Sequence, residues 1–545
     1  MKNVSFLWWF DKFQQAVIRS HYEDGGNALR PASIRCRTRE PEAVTADPVG
    51  PLGVPRWAAL QPRRDALVID GIRHSFGQLY ANASKGAQLL ADLGVGAGAR
   101  VGLAMRNRIE YLEINLAAWL REAVMVPFAY RSTSDELNYL VEDAGMSVLF
   151  VEEDGAHNST SVPSYTWRDW TRRIPEYPSL APSAGAPPLV ERVLAYTSGT
   201  TGRPKSLRRA DSPDGSTVHD PGAWMEQFPV DFATGIHLCV APMYHAQPRL
   251  FTHAALDWGH TVVMMRGFDA ETALKLIERE RVTSISMAPI HFVRILKLGP
   301  ELVGRYDLSS VRFVVHSASP VAPALKRQII DLFPDAVWEM YGGTEGTFTI
   351  IGPDEWLKNP GSVGRSTPGR DIRILDTAGN PLPTGAVGRV FRHEPDPARR
   401  FVYADAPEAT AAAWQGEWFT IGEMGYLDEG QYLFLTDRVK DMIVRGGVNI
   451  SSSEIEAVLS EHPDVQDAAV IGIPDDDYGE AVLAVVEARG QIDTDDVLAH
   501  CRTRLAPDKC PSRIDVVETL PREPTGKLRK RLLRETYWKS VSRAI

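Results

Sequence analysis

The sequence predicts an α/β protein of more than one domain: a large N-terminal domain of α/β sheets carrying a β-rich subdomain, followed by a small α+β C-terminal domain. Three observations carry this. The chain has 545 residues, more than one compact core holds. From about residue 65 helical and strand periodicities alternate, as in parallel sheets joined by crossover helices. From about residue 360 the pattern changes to short strands between Gly/Pro turns, and from about Val439 to a compact mixture of helices and strands.

In chain order, "MKNVSFLWWFDKFQQAVIRSHYEDGG" opens with an apolar cluster interrupted by Asp11 and Lys12, so it reads as a satellite helix rather than a signal-peptide core. "FGQLYANASKGAQLLADLGV" has apolar residues at helical spacing and ends on glycine, and "RVGLAMRN" reads as a short buried strand with a turn after it. "EYLEINLAAWLREAVMVPF" repeats helix then strand. "EDGAHNSTSVPSYTW" and "YPSLAPSAGAPPL" are loop and linker by composition. "FDAETALKLIERERVTSISMAPIHFVRILKL" is a helix, strand, helix unit. "PGSVGRSTPGRDIRILDTAGNPLPTGAVGRVFRH" is the β-rich stretch, and "SSSEIEAVLSEHPDVQDAAVIGI" with "EAVLAVVEA" forms the last domain. No repeat period stands out, which excludes a solenoid.

The composition is that of an ordinary globular chain, 44% hydrophobic and 24% charged. A net charge of -10 leaves no broad basic field, so nucleic acid is not an expected partner. No apolar run approaches a membrane span, so no transmembrane segment is expected. Cys36, Cys239, Cys501 and Cys510 fit neither zinc-ligand nor disulfide spacing and read as reduced thiols of a cytoplasmic protein. In that compartment the sequon at Asn158 has no meaning.

Three stretches bear chemistry. "YTSGTTGRPK", residues 196–205, has the composition of a phosphate-binding loop. It is not a P-loop: Gly199 and Gly202 are too close, and Arg203 and Pro204 separate Gly202 from Lys205. Its glycines still allow backbone N–H groups to turn toward an anion, its hydroxyls add donors and Lys205 adds charge; a flexible linker is the competing reading. "EMYGGTEG", residues 339–346, places an aromatic ring, two glycines, a hydroxyl and a carboxylate after the strand-like "DAVWEM", where turn formers are the plainer explanation. "PREPTGKLRKRLLRE", residues 521–535, presents Lys527 on a Gly526 turn before a basic helix, or is a solvated positive face.

Together with "GYLDEGQYLFLTDRVKDMIVRGGVNISSSEIE", these stretches, in this order and at these intervals, resemble the adenylate-forming superfamily of acyl-CoA synthetases, peptide-synthetase adenylation domains and firefly-type luciferases. The resemblance runs from about residue 60 to 535. "APMYHAQP", "FVVHSASPVAP" and "RGGVNISSSEIE" are most similar to bacterial acyl-CoA synthetases, and "MYHAQPRLF" lacks the aspartate that peptide-synthetase domains use for an amine.

The resemblance implies an acyl-CoA ligase with ATP, Mg²⁺ and CoA, acting on a hydrophobic carboxylic acid through acyl-AMP. It implies an N-terminal domain over 1–438, with an atypical extension over 1–60, and a mobile C-terminal lid over 439–545 hinged near Lys440. Thr197, Ser198, Gly199, Thr200, Thr201, Gly202 and Lys205 would cradle the departing phosphates, with Thr197 and Glu345 near Mg²⁺. Ser317, Ala318, Ser319, Pro320 and Tyr341 would bracket the adenine, with Gly342, Gly343 and Thr344 beside them. Glu423 would take the ribose, Arg438 the ribose or a phosphate, and Lys527 the charge between carboxylate and α-phosphate. His245 and Gly343 would flank the acyl group, and Gly446 and Gly447 would let pantetheine pass. Two departures touch the ATP side: Glu423 stands where the family usually has aspartate, and Ser206 where it has glycine. They keep open a ligase that mainly thioesterifies preformed acyl-AMP. Transfer to a carrier protein, a catalytically silent nucleotide-binding protein, and assembly as a dimer also stay open.

Overall fold

The computed structural model of the protein describes residues 51–152, 161–197, 205–210, 212–228, 235–319, 321–367, 369–438, 441–445, 448–475, 478–523 and 528–538. The N-terminal satellite helix and Asn158 lie outside the described residues.

The central feature of the unit Val49–Ile545 is a nine-stranded sheet. Its strands are β1 (Asp65–Ile69), β2 (Ile72–Ser75), β3 (Ile236–Cys239), β4 (Thr261–Met264), β5 (Ser284–Met287), β6 (Phe313–His316), β7 (Val337–Gly343), β8 (Gly346–Ile351) and β9 (Arg365–Ser366), in the spatial order β9-β8-β7-β6-β5-β3-β4-β1-β2. The stretch from β7 through β6, β5, β3 and β4 to β1 is parallel, and the edges turn antiparallel. β5 and β6, reading SISM and FVVH, are buried along their length, as expected of strands covered on both faces. A second, six-stranded sheet runs Thr217–His219, Glu191–Val193, Val124–Pro127, Arg100–Ala104, Val148–Val151, Ser164–Thr166.

Helices Phe76–Asp92 and Ile109–Leu120 share one apolar core with residues of both sheets, including Leu67, Val262, Leu103 and Phe150. The other face of the nine-stranded sheet packs on helices Ala270–Glu280, Pro289–Leu296 and Pro323–Leu332. Local signals set the helix ends: Ser75 and Gln78 form a reciprocal capping box, and the helix it opens stops before Gly94 at φ 79°. Helix α1 (Ala246–Asp257) follows β3, contacts β3, β4 and β5, and is buried from Pro248 to Asp257.

The β-rich subdomain is an antiparallel sheet in the order Trp414–Gln415, Trp418–Phe419, Gly388–His393, Glu423–Leu427, Leu433–Arg438, with Ile372–Leu375 on Gly388–His393. Its core takes in Tyr341 and Phe348 from β7 and β8. The C-terminal sheet pairs Val465–Asp475 with Gly479–Ala488 and then Arg513–Val517. Helices Ser452–Ser460 and Thr494–Arg502 cover one face and Lys530–Trp538 the other. Cys239 and Cys501 are buried free thiols and Cys510 is half-buried; Cys36 lies outside the described residues.

One strand differs from its sequence reading. β7 does not end at "DAVWEM" but runs through Tyr341, Gly342 and Gly343 before turning at Thr344 and Glu345 into β8. Gly342 makes this possible, because a Cβ there would lie 2.5 Å from the Gly346 carbonyl oxygen of the opposing strand.

Candidate functional site

The loop from β3 to α1 is pinned from the other sheet layer. Asn107 donates to the carbonyls of Ala241 (2.9 Å) and Met265 (3.0 Å) and accepts from Met243 N (2.8 Å), while Tyr111 donates to Met243 O (3.1 Å). This fixes His245 at the N-cap of α1, its ring 4.2 Å from that of Tyr244. His245 Nε2 is buried and finds no hydrogen-bond partner among the described residues. Burial, with Arg249 nearby, lowers the imidazole to about 4, so at neutral pH it is uncharged and offers one hydrogen bond without a positive charge. Behind α1 the Arg249 guanidinium pairs with Glu191, both fully buried. Burial, the largest single influence, would raise the Glu191 carboxyl, but the Arg249 charge and hydrogen bond together with nearby His219 and His253 hold it below the usual range.

Beside this loop lie the C-terminal ends of β5, β6 and β7, where open parallel sheets hold ligands. Ser317, Ala318 and Ser319 leave β6 directly, and His316 pairs with Glu339 two residues before Tyr341. Ala318 has φ 79°, left-handed backbone that favours glycine and is held here at a cost of about 1–3 kcal/mol. The segment is braced from below by a buried cluster: Lys326, on the helix Pro323–Leu332, contacts His316 and donates to Glu339 at 3.1 Å. Burial drives His316 well below its ordinary range, with the Lys326 charge adding to it, so the imidazole is neutral. The Tyr341 ring is nearly buried and packs on Phe348 at 5.3 Å.

Past Tyr341 the turn presents Glu345. Tyr403 donates to its Oε1 at 2.7 Å, and Arg209 Nη2 donates to its carbonyl at 3.4 Å. A Cβ at Gly343 would press on the Glu345 carboxylate, so a side chain there would oblige that carboxylate to shift from its place beside Tyr403. Both partners come from one small sheet: Ala195–Thr197, Lys205–Arg209 and Phe401–Tyr403 lie side by side, with Thr197 opposite Lys205 and Leu207 opposite Tyr403. The strands flanking residues 198–204 are therefore an antiparallel pair, and Arg209 ties the second of them to Glu345. Ser206 is buried within that strand, and its carbonyl accepts from Ala404 N at 2.9 Å.

Glu423 begins its strand, is buried, and lies directly across from Arg438. The hairpin Ile443–Arg445 and Val448–Ile450 closes with Arg445 opposite Val448. On the C-terminal side the Glu523 carboxylate is within electrostatic reach of Tyr244, whose phenol is raised to about 12, chiefly by burial. Ser198, Gly199, Thr200, Thr201, Gly202, Pro320, Lys440, Gly446, Gly447 and Lys527 lie outside the described residues, as do the side chains of Thr197 and Arg438.

Two family patterns match the chain: "AMP-binding enzyme" over residues 54–401 and "AMP-binding enzyme C-terminal domain" over 454–527. The chain belongs to the AMP-binding enzyme family. This places it among the adenylate-forming, ATP-dependent acid–thiol ligases. The long-chain-fatty-acid–CoA ligase FadD13 of Mycobacterium tuberculosis is 31% identical over 503 residues, covering 89% of this chain and 97% of that protein. The fatty acid–[acyl-carrier-protein] ligase ScoC of Streptomyces coeruleorubidus is 30% identical over 507 residues, covering 89% and 96%. Among solved structures, ATP-bound MatB from Rhodopseudomonas palustris superposes with a TM-score of 0.75 at 26% identity, covering 90% of this chain and all of that one. The amide bond synthetase McbA from Marinactinospora thermotolerans gives 0.75 at 26%, covering 89% and 99%.

Among the described residues no helix is long and apolar enough to cross a membrane. Tyr403 and Arg209, which hold Glu345, were not singled out from the AMP-binding enzyme's sequence. Both lie in short strands without a motif, and only the pairing of Phe401–Tyr403 with Lys205–Arg209 brings them to the carboxylate.

Proposed function

We propose that this AMP-binding enzyme is an acyl-CoA ligase that converts a hydrophobic carboxylic acid to its CoA thioester through acyl-AMP. The observation that carries the reading is the Glu345 carboxylate, held by Tyr403 and tied by Arg209 to the strand of Lys205, at the same sheet ends that present the unpartnered His245 Nε2. In the first half-reaction an oxygen of the acid attacks the α-phosphorus of ATP and the bond to pyrophosphate breaks. Lys205 and the residues 197–202 hold the departing phosphates, Ser317 to Pro320 and Tyr341 take the adenine, and Glu423 with Arg438 takes the ribose. In the second, the CoA thiol loses its proton and its sulfur attacks the acyl carbonyl, expelling AMP.

His245 serves as a neutral hydrogen-bonding group beside the acid, which avoids setting a second fixed cation against Lys527. Lys527 offsets charge on carboxylate and α-phosphate during attack. The Glu345 carboxylate fits Mg²⁺, since its Oε1 is already oriented by Tyr403 and carboxylate oxygen suits a hard cation. With the Thr197 hydroxyl it would hold the ion, which neutralises phosphate charge when bound. Residues 439–545 act as a lid that turns about Lys440 and presents Lys527 for one half-reaction and Gly446 and Gly447 for the other; the position of Glu523 near Tyr244 supports the first arrangement. We place the enzyme in the cytoplasm.

Thioester formation from ATP, CoA and a panel of hydrophobic acids, read by mass, tests the reading, and no acyl-CoA from any acid sinks it. ATP–pyrophosphate exchange with the accepted acid tests Glu423 and Ser206: vigorous exchange removes the alternative in which the protein mainly uses preformed acyl-AMP. A carrier protein outcompeting CoA would move the acceptor to the phosphopantetheine arm.

A further inference from the structure

The pairing of β6 with β7 ends at the rung His316–Glu339. Beyond it the chain forks: Ser317, Ala318 and Ser319 leave the sheet, while β7 goes on through Tyr341 to Gly343 paired with β8. Such a divergence past the strand ends is where open parallel sheets leave a crevice. At the base of the fork lies one buried amine. Lys326, 1% exposed, donates to Glu339 Oε2 at 3.1 Å, contacts His316 Nε2, and has the Trp356 ring 6.0 Å away on the helix that follows β8. Its backbone N–H donates to Ala322 O at 2.9 Å in the first turn of the helix Pro323–Leu332. His316 and Lys326 thus stand at the two ends of the stretch 317–325, and their contact closes it into a loop. His316 Nδ1 is buried and finds no partner among the described residues, so there the contact with Lys326 is the ring's one hydrogen bond. The rung is buried, whereas Ala318, two residues on, is exposed and has φ 79°. A left-handed alanine persists only where its surroundings over-determine it. Little packs on an exposed residue, so the restraint reaches Ala318 along the chain, from the ends of the loop.

We propose that Lys326 is a positioning residue for nucleotide binding: through His316 and Glu339 it holds together the two chain segments, Ser317–Ser319 and Tyr341, that bracket the adenine. The inference rests on the ligase reading above, which assigns those segments to the adenine. Lys326 itself does not touch the nucleotide. Without its amine the loop loses the contact that closes it and the Glu339 carboxylate loses its tie to that loop, so fewer molecules hold Ala318 in the binding arrangement. The apparent affinity then falls by the fraction of molecules that leave it.

The test is AMP binding by titration calorimetry, which reads the affinity and the fraction of binding-competent protein separately. Lys326→Met is expected to raise the Kd for AMP about 10-fold with the stoichiometry unchanged. Because that variant leaves Glu339 buried without its partner, it is measured beside the double variant Lys326→Met, Glu339→Gln, which removes both charges from the cluster and shows the same rise with less demand on folding. A Kd for AMP unchanged in the double variant overturns the proposal and leaves the ligase reading standing. So does a fall in stoichiometry at unchanged Kd, which makes Lys326 a packing residue alone. Failure of the unaltered enzyme to bind AMP overturns both.

Discussion

Under α1 the side chains are mostly aromatic rings and uncharged imidazoles; around Glu345 they are guanidiniums, a phenol and carboxylates. Arg392, buried, donates to Glu394 at 2.6 Å, and the guanidiniums of Arg209 and Arg370 each lie within electrostatic reach of Arg399 and of Glu394. Desolvation lowers Arg392 to about 10, with Glu394 opposing and the neighbouring arginines adding to it. In the proposed reaction, one set of strand ends serves two demands. An apolar tail needs a dry wall that carries no charge, whereas transferring phosphates need fixed charges whose hydrogen bonds are already made before substrate arrives.

The comparison can be broken most severely behind α1. Arg249→Leu leaves Glu191 buried and unpaired, and we expect a loss of about 3–5 kcal/mol in urea unfolding, with much of it recovered when Glu191 is also replaced by leucine. If the single variant unfolds like the unaltered protein, the pair does not hold α1.

On the phosphate side, Lys527→Ala is expected to slow ATP–pyrophosphate exchange by about 10²–10³-fold while acyl-CoA formation from supplied acyl-AMP stays nearly unchanged. Equal losses in the two assays would show that the lysine serves both half-reactions.

The neutral imidazoles predict a pH response. His253 is buried and lowered to about 4, and His237 to about 3, chiefly by desolvation. Unfolded histidine, near 6.5, therefore binds more protons than the folded protein between those values, so stability rises with pH across this window and is lost as pH falls below about 6.5, by about 3 kcal/mol for His253. Glu113 has the opposite slope, because burial raises it to about 7 and its folded form keeps a proton that the unfolded form has released. The histidine contribution is isolated as the difference in the pH dependence of urea unfolding between the unaltered protein and His253→Gln, whose curve should be flatter below pH 6.5.

The smallest effect is expected at Tyr403. Tyr403→Phe removes one hydrogen bond to Glu345, about 1 kcal/mol, so adenylation kcat/KM should fall roughly 5-fold with acyl-AMP thioesterification spared. A fall in thermal stability of equal size would recast the tyrosine as a packing residue.

Much of the fold was legible because its signals are local. The capping box at Ser75, the glycine after Leu93 and the alternation of apolar runs place helices and strands without reference to distant residues. "EMYGGTEG" was legible as chemistry, yet its reading as a turn after a strand missed that Tyr341 to Gly343 remain in the sheet. The hydrogen-bonded register with β8 decides that, and beyond Gly346 β8 carries no motif.

The order of "YTSGTTGRPK", "YGGTEG" and "PREPTGK" along the chain was enough to place the protein in its family and predict its chemistry, because phosphate loops and their carboxylates are built from consecutive residues. Tertiary structure alone decided which side chains surround them. Tyr403 reaches Glu345 across 58 positions, Gln247 reaches Val315 across 68, and Glu423 meets Arg438 only through strand register. The aromatic layer under α1 belongs to the same class. Phe228, Phe251 and Phe313 are unremarkable residues in three separate segments, and only packing α1 against β5 and β6 brings their rings together.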